Sequence, residues 1–332
     1  MPLFSRRTAA VGSAVVLAIT LVGCAGATAA PGPAVIDSGA ASGSDALALD
    51  NCGTEITVDA PPQRILTIKS TTLELLLALG VQDRIIGSAY SDGPVPEKYA
   101  DAAADIPVVS DKLPSQEAAL AANPDFIFGG WESNFSVEGV GERDTLQSLG
   151  IGTYVAPSAC KDPAYMPNPL TFETVFDEFL EAGEIFGAEE AAEQLVTEQR
   201  AQLEALEPDN RGLTAVWYSS GRDEPYVGAG IGAPAMLMEA TGLENAFADE
   251  QNTWMSTSWE KVAEINPDVL VLIGSPGNTV EDKIALLSSN PVTSTMDAVI
   301  DKRFISLDFA AAEAGVRNVD SVASLIEQLG EL

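Results

Sequence analysis

The chain has 332 residues, enough for about two domains. It carries 49 acidic against 17 basic residues, a formal charge of −32, and such a surface repels nucleic acid and anionic membrane. Histidine is absent, which removes Ser-His-Asp and Cys-His nucleophile systems, His-based zinc, copper and manganese sites, and His-ligated haem.

In chain order, the N-terminus reads first as an export signal. Arg6 and Arg7 form a positive start, and residues 9–23 form a short apolar run. Its fifteen residues fall short of the roughly 20 needed to span a bilayer. The run ends in Leu21-Val22-Gly23-Cys24, which resembles a bacterial lipobox, whose cysteine is acylated (palmitate) and becomes the mature N-terminus. The other reading is an ordinary signal peptide cut near Ala29-Ala30. Ser5-Arg6-Arg7 leaves twin-arginine export open beside the general route. Losing residues 1–23 removes two positive charges and no negative ones, leaving −34. Residues 24–50, rich in Ala, Gly, Ser and Pro, read as a flexible tether. The chain is thus expected to be exported and held by lipid on the outer face of the cytoplasmic membrane.

With Cys24 used for lipid, Cys52 and Cys160 remain as an even pair in an oxidising compartment. A disulfide between them would close a loop of about 108 residues, worth on the order of 4–5 kcal/mol in the chain-entropy model. Two buried free thiols are the alternative.

Beyond the tether, β runs alternate with helical stretches, the pattern of an α/β protein. Strands are expected at residues 65–68, 84–88, 106–109, 126–128 and 153–155, with a helix at 72–79 stopped by Gly80. Residues 188–207 read as one 20-residue helix free of Gly and Pro, about 30 Å long. Strands at 213–218, 269–273 and 304–307 follow, then a closing helix at 319–329. The domain reading is a signal peptide at 1–23, a tether at 24–50, an N-terminal lobe at 51–187, a connecting helix at 188–207 and a C-terminal lobe at 208–332.

One internal echo supports two similar lobes. Ser115-Gln116-Glu117, then Asn123-Pro124-Asp125 and Phe126-Ile127-Phe128, matches Ser258-Trp259-Glu260, Asn266-Pro267-Asp268 and Val269-Leu270-Val271 without gaps, 143 residues later. In each copy the Ser is an N-cap candidate and the Glu falls in the first helical turn, where the macrodipole favours it. Asn-Pro-Asp then ends the helix and feeds a buried strand.

From Cys52 onward the chain resembles the substrate-binding lipoproteins of ABC importers for ferric siderophores and vitamin B12. The resemblance rests on Pro62-Gln63-Arg64-Ile65, the run Leu73-Glu74-Leu75-Leu76-Leu77-Ala78-Leu79-Gly80, Arg84-Ile85-Ile86-Gly87, and the two echoed blocks. It implies two Rossmann-like α/β lobes joined by one long helix, a ligand cleft between them, and small closure movements. It also implies that Glu117 and Glu260 dock onto arginines of the membrane permease, against helix N-terminal electrostatics alone, worth about 0.3–1 kcal/mol.

In open α/β sheets ligands bind beyond the carboxyl ends of the strands. That places Lys69, Tyr90, Lys112, Trp131, Tyr218, Arg222, Trp254 and Arg317 at the cleft as ligand-binding candidates. Trp131 and Trp254 sit in polar loops and read as ligand contacts; Trp217, inside a strand, reads equally as core. Tyr90, Trp131 and Trp254 also match positions where the family places ligand-contacting aromatics. Lys69, Lys112, Arg222 and Arg317 would present a locally positive field to an anionic ligand.

The function expected is capture of a ferric siderophore and its delivery to permease subunits by a monomer, with no enzyme activity, catalytic residue, resident cofactor or metal. Haem, with Tyr90 or Tyr218 as axial phenolate, and vitamin B12 are the alternative cargoes. Two other classes compete. Gly228-Ala229-Gly230-Ile231-Gly232-Ala233 contains a weak dinucleotide-binding pattern without a good preceding strand. A secreted carboxylate hydrolase would need two acids about 5–10 Å apart, a pair that 49 acids make inevitable.

Overall fold

The structure is a computed structural model and describes residues 46–332. The expected leader, Cys24 and nearly all of the tether lie outside the described residues. The last five tether residues do not, and four of them belong to strand β1 (Leu47–Asn51), which pairs antiparallel with β2 (Thr54–Val58). Leu47, Leu49, Ile56 and Val58 alternate with exposed residues and pack on the core, so the short hairpin is half-buried. Arg143 pins it down, donating to the Asn51 carbonyl at 2.6 Å and to Asn51 Oδ1 at 2.9 Å.

The first sheet is wholly parallel. Its strands are β3 (Ile65–Ile68), β4 (Ile85–Ala89), β5 (Val108–Ser110), β6 (Phe126–Gly129) and β7 (Gly152–Val155), in the order β5-β4-β3-β6-β7. β3 and β6 are buried throughout, which is why they read as near-continuous apolar runs. The order reverses direction between β3 and β6, and that switch point opens a crevice at the strand ends.

The second sheet repeats the plan with an antiparallel edge. β8 (Thr214–Ser220), β9 (Tyr226–Gly228), β10 (Glu244–Asn245), β11 (Trp254–Ser256), β12 (Val269–Gly274) and β13 (Phe304–Asp308) run in the order β11-β9-β8-β12-β13, with β10 also on β8. β8, β12 and β13 are parallel; β9 and β11 run against their neighbours. The expected strands all form, with ends shifted by one or two residues. β9, β10 and β11 are additions.

The helix expected at 188–207 forms, shorter at both ends, and a further helix precedes it. Residues 172–204 form two helices, Phe172–Phe186 and Glu189–Glu204, packed on one another. Gly187 ends the first at φ +60, where a Cβ would meet Pro61 Cγ at 2.7 Å, so the chain turns back instead of continuing. The second helix has 16 residues, not twenty. Phe176, Phe179 and Phe186 of the first helix pack into one apolar cluster with Phe126 and Phe128 of the first sheet, and the same cluster runs on through Trp217, Val271 and Leu325. A shared core of this kind resists large hinge movements. Separate clusters cover the outer faces of the two sheets.

The internal echo is structural. Ser115 Oγ accepts from Ala118 N and Ser258 Oγ from Lys261 N, each capping a short helix. Asn123 (φ 56) and Asn266 (φ 48) both take the left-handed conformation that follows it. Asp125 then accepts from the Gln63 and Arg64 amides, both at 2.9 Å, and Asp268 from Thr214 N at 2.9 Å and Thr214 Oγ1 at 2.8 Å. In each lobe the repeated aspartate fastens one buried strand to the start of its neighbour. Cys52 and Cys160 are joined in a disulfide, Cα atoms 5.3 Å apart. Among the described residues no helix is long and apolar enough to cross a membrane.

Candidate ligand-binding cleft

A cavity of about 410 Å³ lies between the C-terminal ends of the two sheets, within the range of small-molecule sites. One wall comes from the first lobe's switch point: Thr71 follows β3, Gly130 and Trp131 follow β6. Gly130 is required there, because a Cβ would stand 2.9 Å from both Lys69 Cβ and Thr71 Oγ1. The facing wall carries Ser219 at the end of β8, Tyr226 of β9, Trp254 of β11, and Phe309 and Glu313 beyond β13. Residues 158–161 and Met166 form the rim.

The aromatic wall is ordered by ring contacts. Tyr226 and Trp254 stack with centroids 6.0 Å apart at 14°. Trp131 stands edge-on to Phe309 at 6.4 Å and to Tyr90 at 5.8 Å. Trp131 Nε1 also donates to Glu313 Oε2 at 2.7 Å, a hydrogen bond from one lobe to the other. Burial holds the Glu313 carboxyl above the usual range, opposed by that indole bond and by the Lys69 charge.

Of the eight sequence candidates, two line the cavity: Trp131 and Trp254. Lys69 is correctly placed after β3 but turned inward. Its φ of 88 is unusual for a side chain with a Cβ, and Nζ is bonded to Asp92. The ammonium sits 3.7 Å from the Trp131 ring centroid, 4.6 Å from Tyr90 and 5.3 Å from Phe309, so it supports the aromatic wall from behind. Tyr90, also at positive φ, belongs to this layer.

The remaining candidates are corrected by their surroundings. Tyr218 is 1% exposed, packs edge-on against Trp259, and donates from its hydroxyl to the Gly221 carbonyl at 2.6 Å. Its hydroxyl is taken up by that bond and Tyr218 does not line the cavity, so it is not placed to serve as an axial ligand; burial also pushes its pKa up to about 12. Trp217 is fully buried core. Arg317 forms a two-pronged ion pair with buried Glu74 of the other lobe, at 2.6 and 2.5 Å. Lys112 and Arg222 are exposed and do not line the cavity. The expected positive field therefore does not form: the cavity's charged lining residues are Glu313 and, at the exposed rim, Lys161.

Sequence reading missed Tyr226, Phe309 and Glu313. Pro225 disguised β9, and the residues beyond β13 were represented by Arg317 alone. The signal available was position: Phe309 directly follows the last strand. The glycine-rich run 228–233 belongs to the end of β9 and the start of a helix, with Gly228 packed on Pro234. Glu117 and Glu260 both stand exposed in the first turn of their helices.

Among the described residues, two α/β lobes face each other across an aromatic cleft, the arrangement of a solute-binding protein. The chain belongs to the periplasmic binding protein family, whose model matches residues 65–311. Over 287 residues, 84% of each chain, it is 21% identical to an uncharacterised ABC transporter substrate-binding lipoprotein, YvrC, of Bacillus subtilis. Its fold is similar to a periplasmic binding protein from Veillonella parvula, at 25% identity and TM-score 0.77, covering 86% of this chain and 98% of that one. An ABC-type Fe3+-hydroxamate transport protein from Saccharomonospora viridis is similar at 24% identity and TM-score 0.73, covering 86% and 99%. The chain is accordingly a substrate-binding protein of ABC transport.

Proposed function

We propose that the protein captures a compact ferric siderophore in the interlobe cleft and hands it to an ABC permease from a lipid anchor on Cys24. The observation that carries this reading is the cavity itself: about 410 Å³, walled by Trp131, Tyr226, Trp254 and Phe309, suited to an apolar chelate held by ring faces. The likeness to a hydroxamate transport protein supports a hydroxamate chelator. Among the described residues no group of three carboxylates or cysteines converges to hold a metal, so iron would enter as a chelate, its coordination supplied by the siderophore. The division at residues 51–187, 188–207 and 208–332, a monomeric state and permease docking through Glu117 and Glu260 form part of the same proposal.

Haem is the second reading, favoured by one observation: the half-exposed phenol of Tyr226 stands on the cavity wall. Tryptophan fluorescence titration against ferric hydroxamates, catecholates, citrate, haem and vitamin B12 separates the cargoes. The siderophore reading expects saturable quenching below about micromolar by a ferric hydroxamate; quenching by haem alone, or by none, overturns it. Docking is tested by Glu117→Arg with Glu260→Arg, which should abolish transport in reconstituted vesicles while cargo affinity stays unchanged.

A further inference from the structure

We infer that the cleft selects cargo presenting a positive group to Glu313 and discriminates against anionic chelates; this rests on the cleft being the cargo site and names the charge of what it takes. Glu313 lines the cavity together with Trp131 and Phe309. Its Oε2 is held by Trp131 Nε1 at 2.7 Å. Among the described residues Oε1 has no hydrogen-bond partner, and no lysine or arginine lies within ion-pair distance of the carboxylate. The nearby ammonium of Lys69 is already bonded to Asp92 and screened from the cavity by the Trp131 and Phe309 rings.

A carboxylate oxygen left open among ring faces is the arrangement that attracts a cation: the charge pairs with the carboxylate while the rings present their negative faces. The molecule's wider field has the same sign, with 49 acidic against 17 basic residues, and draws cations toward the cleft while repelling polyanions. Lys161, the other charged residue of the lining, lies exposed at the rim. The cargo class this defines is a chelate whose buried end carries an ammonium or a strong hydrogen-bond donor.

Two pairs of probes test this. The first needs no assumption about the cargo: benzyltrimethylammonium and phenylacetate are titrated separately while the Trp131 indole N–H resonance is followed by NMR, with Trp131→Phe assigning the signal. The cation should shift that resonance saturably and the anion should not; an anion response, or none to the cation, overturns the inference. The second pair is the ferric complex of a linear trihydroxamate ending in a primary amine, and the same complex with its amine acetylated. The amine form should bind roughly ten- to a hundredfold tighter, the range of a charge-assisted hydrogen bond. In Glu313→Gln, which keeps an acceptor for Trp131, the preference should fall to within about twofold. Equal affinity of the two complexes for the natural protein would overturn the inference while leaving the siderophore reading intact. If neither complex binds, the siderophore reading fails and the first pair decides the charge preference alone.

Discussion

Arg317 at the start of the closing helix, Asn318–Gly330, and Glu74 in the helix Ser70–Ala78 of the other lobe form a two-pronged ion pair, with contacts of 2.6 and 2.5 Å. Glu74 is 2% exposed at its side chain and Arg317 16%, and Arg317 also donates to the Pro94 carbonyl at 2.8 Å. Together with the Trp131–Glu313 hydrogen bond and the Gln199 side chain bonded to the Val316 carbonyl at 2.8 Å, it fastens the C-terminal segment across the lobes.

Removing one partner of a buried pair strands the other charge, typically at about 3–5 kcal/mol. Glu74→Ala should therefore lower stability by roughly 3 kcal/mol, read as the shift of the urea midpoint. Glu74→Leu with Arg317→Leu should recover part of that loss. Because neither residue lines the cavity, cargo affinity should remain close to that of the natural protein when both are replaced.

Glu178 sets a pH dependence. It is 3% exposed in the Phe172–Phe186 helix, and burial pushes its pKa up to about 7, opposed by bonds from Ser158. The folded state then holds a proton that the unfolded chain releases near its ordinary value of 4.5. Its contribution is full below pH 4.5, falls as pH rises, and is lost through about 7. Glu178→Gln should flatten that slope and make the protein more stable at pH 8 by up to about 3 kcal/mol, measured by denaturant midpoints at pH 5 and 8.

The disulfide gives a redox prediction. Cys52 lies in the hairpin turn and Cys160 at the cavity rim, 108 positions apart. Cys52→Ser with Cys160→Ser should cost about 4–5 kcal/mol in the chain-entropy model. The replaced protein should lose its sensitivity to dithiothreitol in a thermal melt, whereas the natural protein should melt lower when reduced.

Asp125 and Asp268 should behave as equivalents. Each accepts two bonds from the strand beside it, and those from Thr214 hold the Asp268 carboxyl below the usual range. Asp125→Ala and Asp268→Ala should each cost about 1–3 kcal/mol, visible as faster amide exchange at the start of β3 and of β8 respectively.

What was legible in the sequence follows from burial. β3, β6 and β12 are covered on both faces, so their apolar runs stand out, and the 143-residue echo gives the two-lobe plan. The β1–β2 hairpin was hidden because its alternating half-buried pattern begins inside a stretch of tether-like composition. The helix Phe172–Phe186 has no counterpart in the sequence reading, which begins its helix only after Gly187. At the site, chain position predicted which residues follow each strand but not where their side chains turn. Lys69 and Trp131 both follow first-sheet strands next to the switch point. The positive φ of Lys69 and the carboxylate of Asp92 keep the lysine behind the wall, and the tryptophan forms its face. Arg317 was misplaced for a related reason, since its partner Glu74 lies 243 positions away and no local pattern announces it.

We propose the cleft walled by Trp131, Trp254 and their partners as the place where the cargo is held. Isothermal titration of a ferric trihydroxamate into the natural protein, Trp254→Ala and Arg222→Gln tests it most directly. Removing the Trp254 ring should weaken binding roughly tenfold or more, as loss of an aromatic anchor does, while Arg222→Gln should leave affinity unchanged. Undiminished binding by Trp254→Ala with loss in Arg222→Gln would contradict it and move the site to the exposed loop after β8.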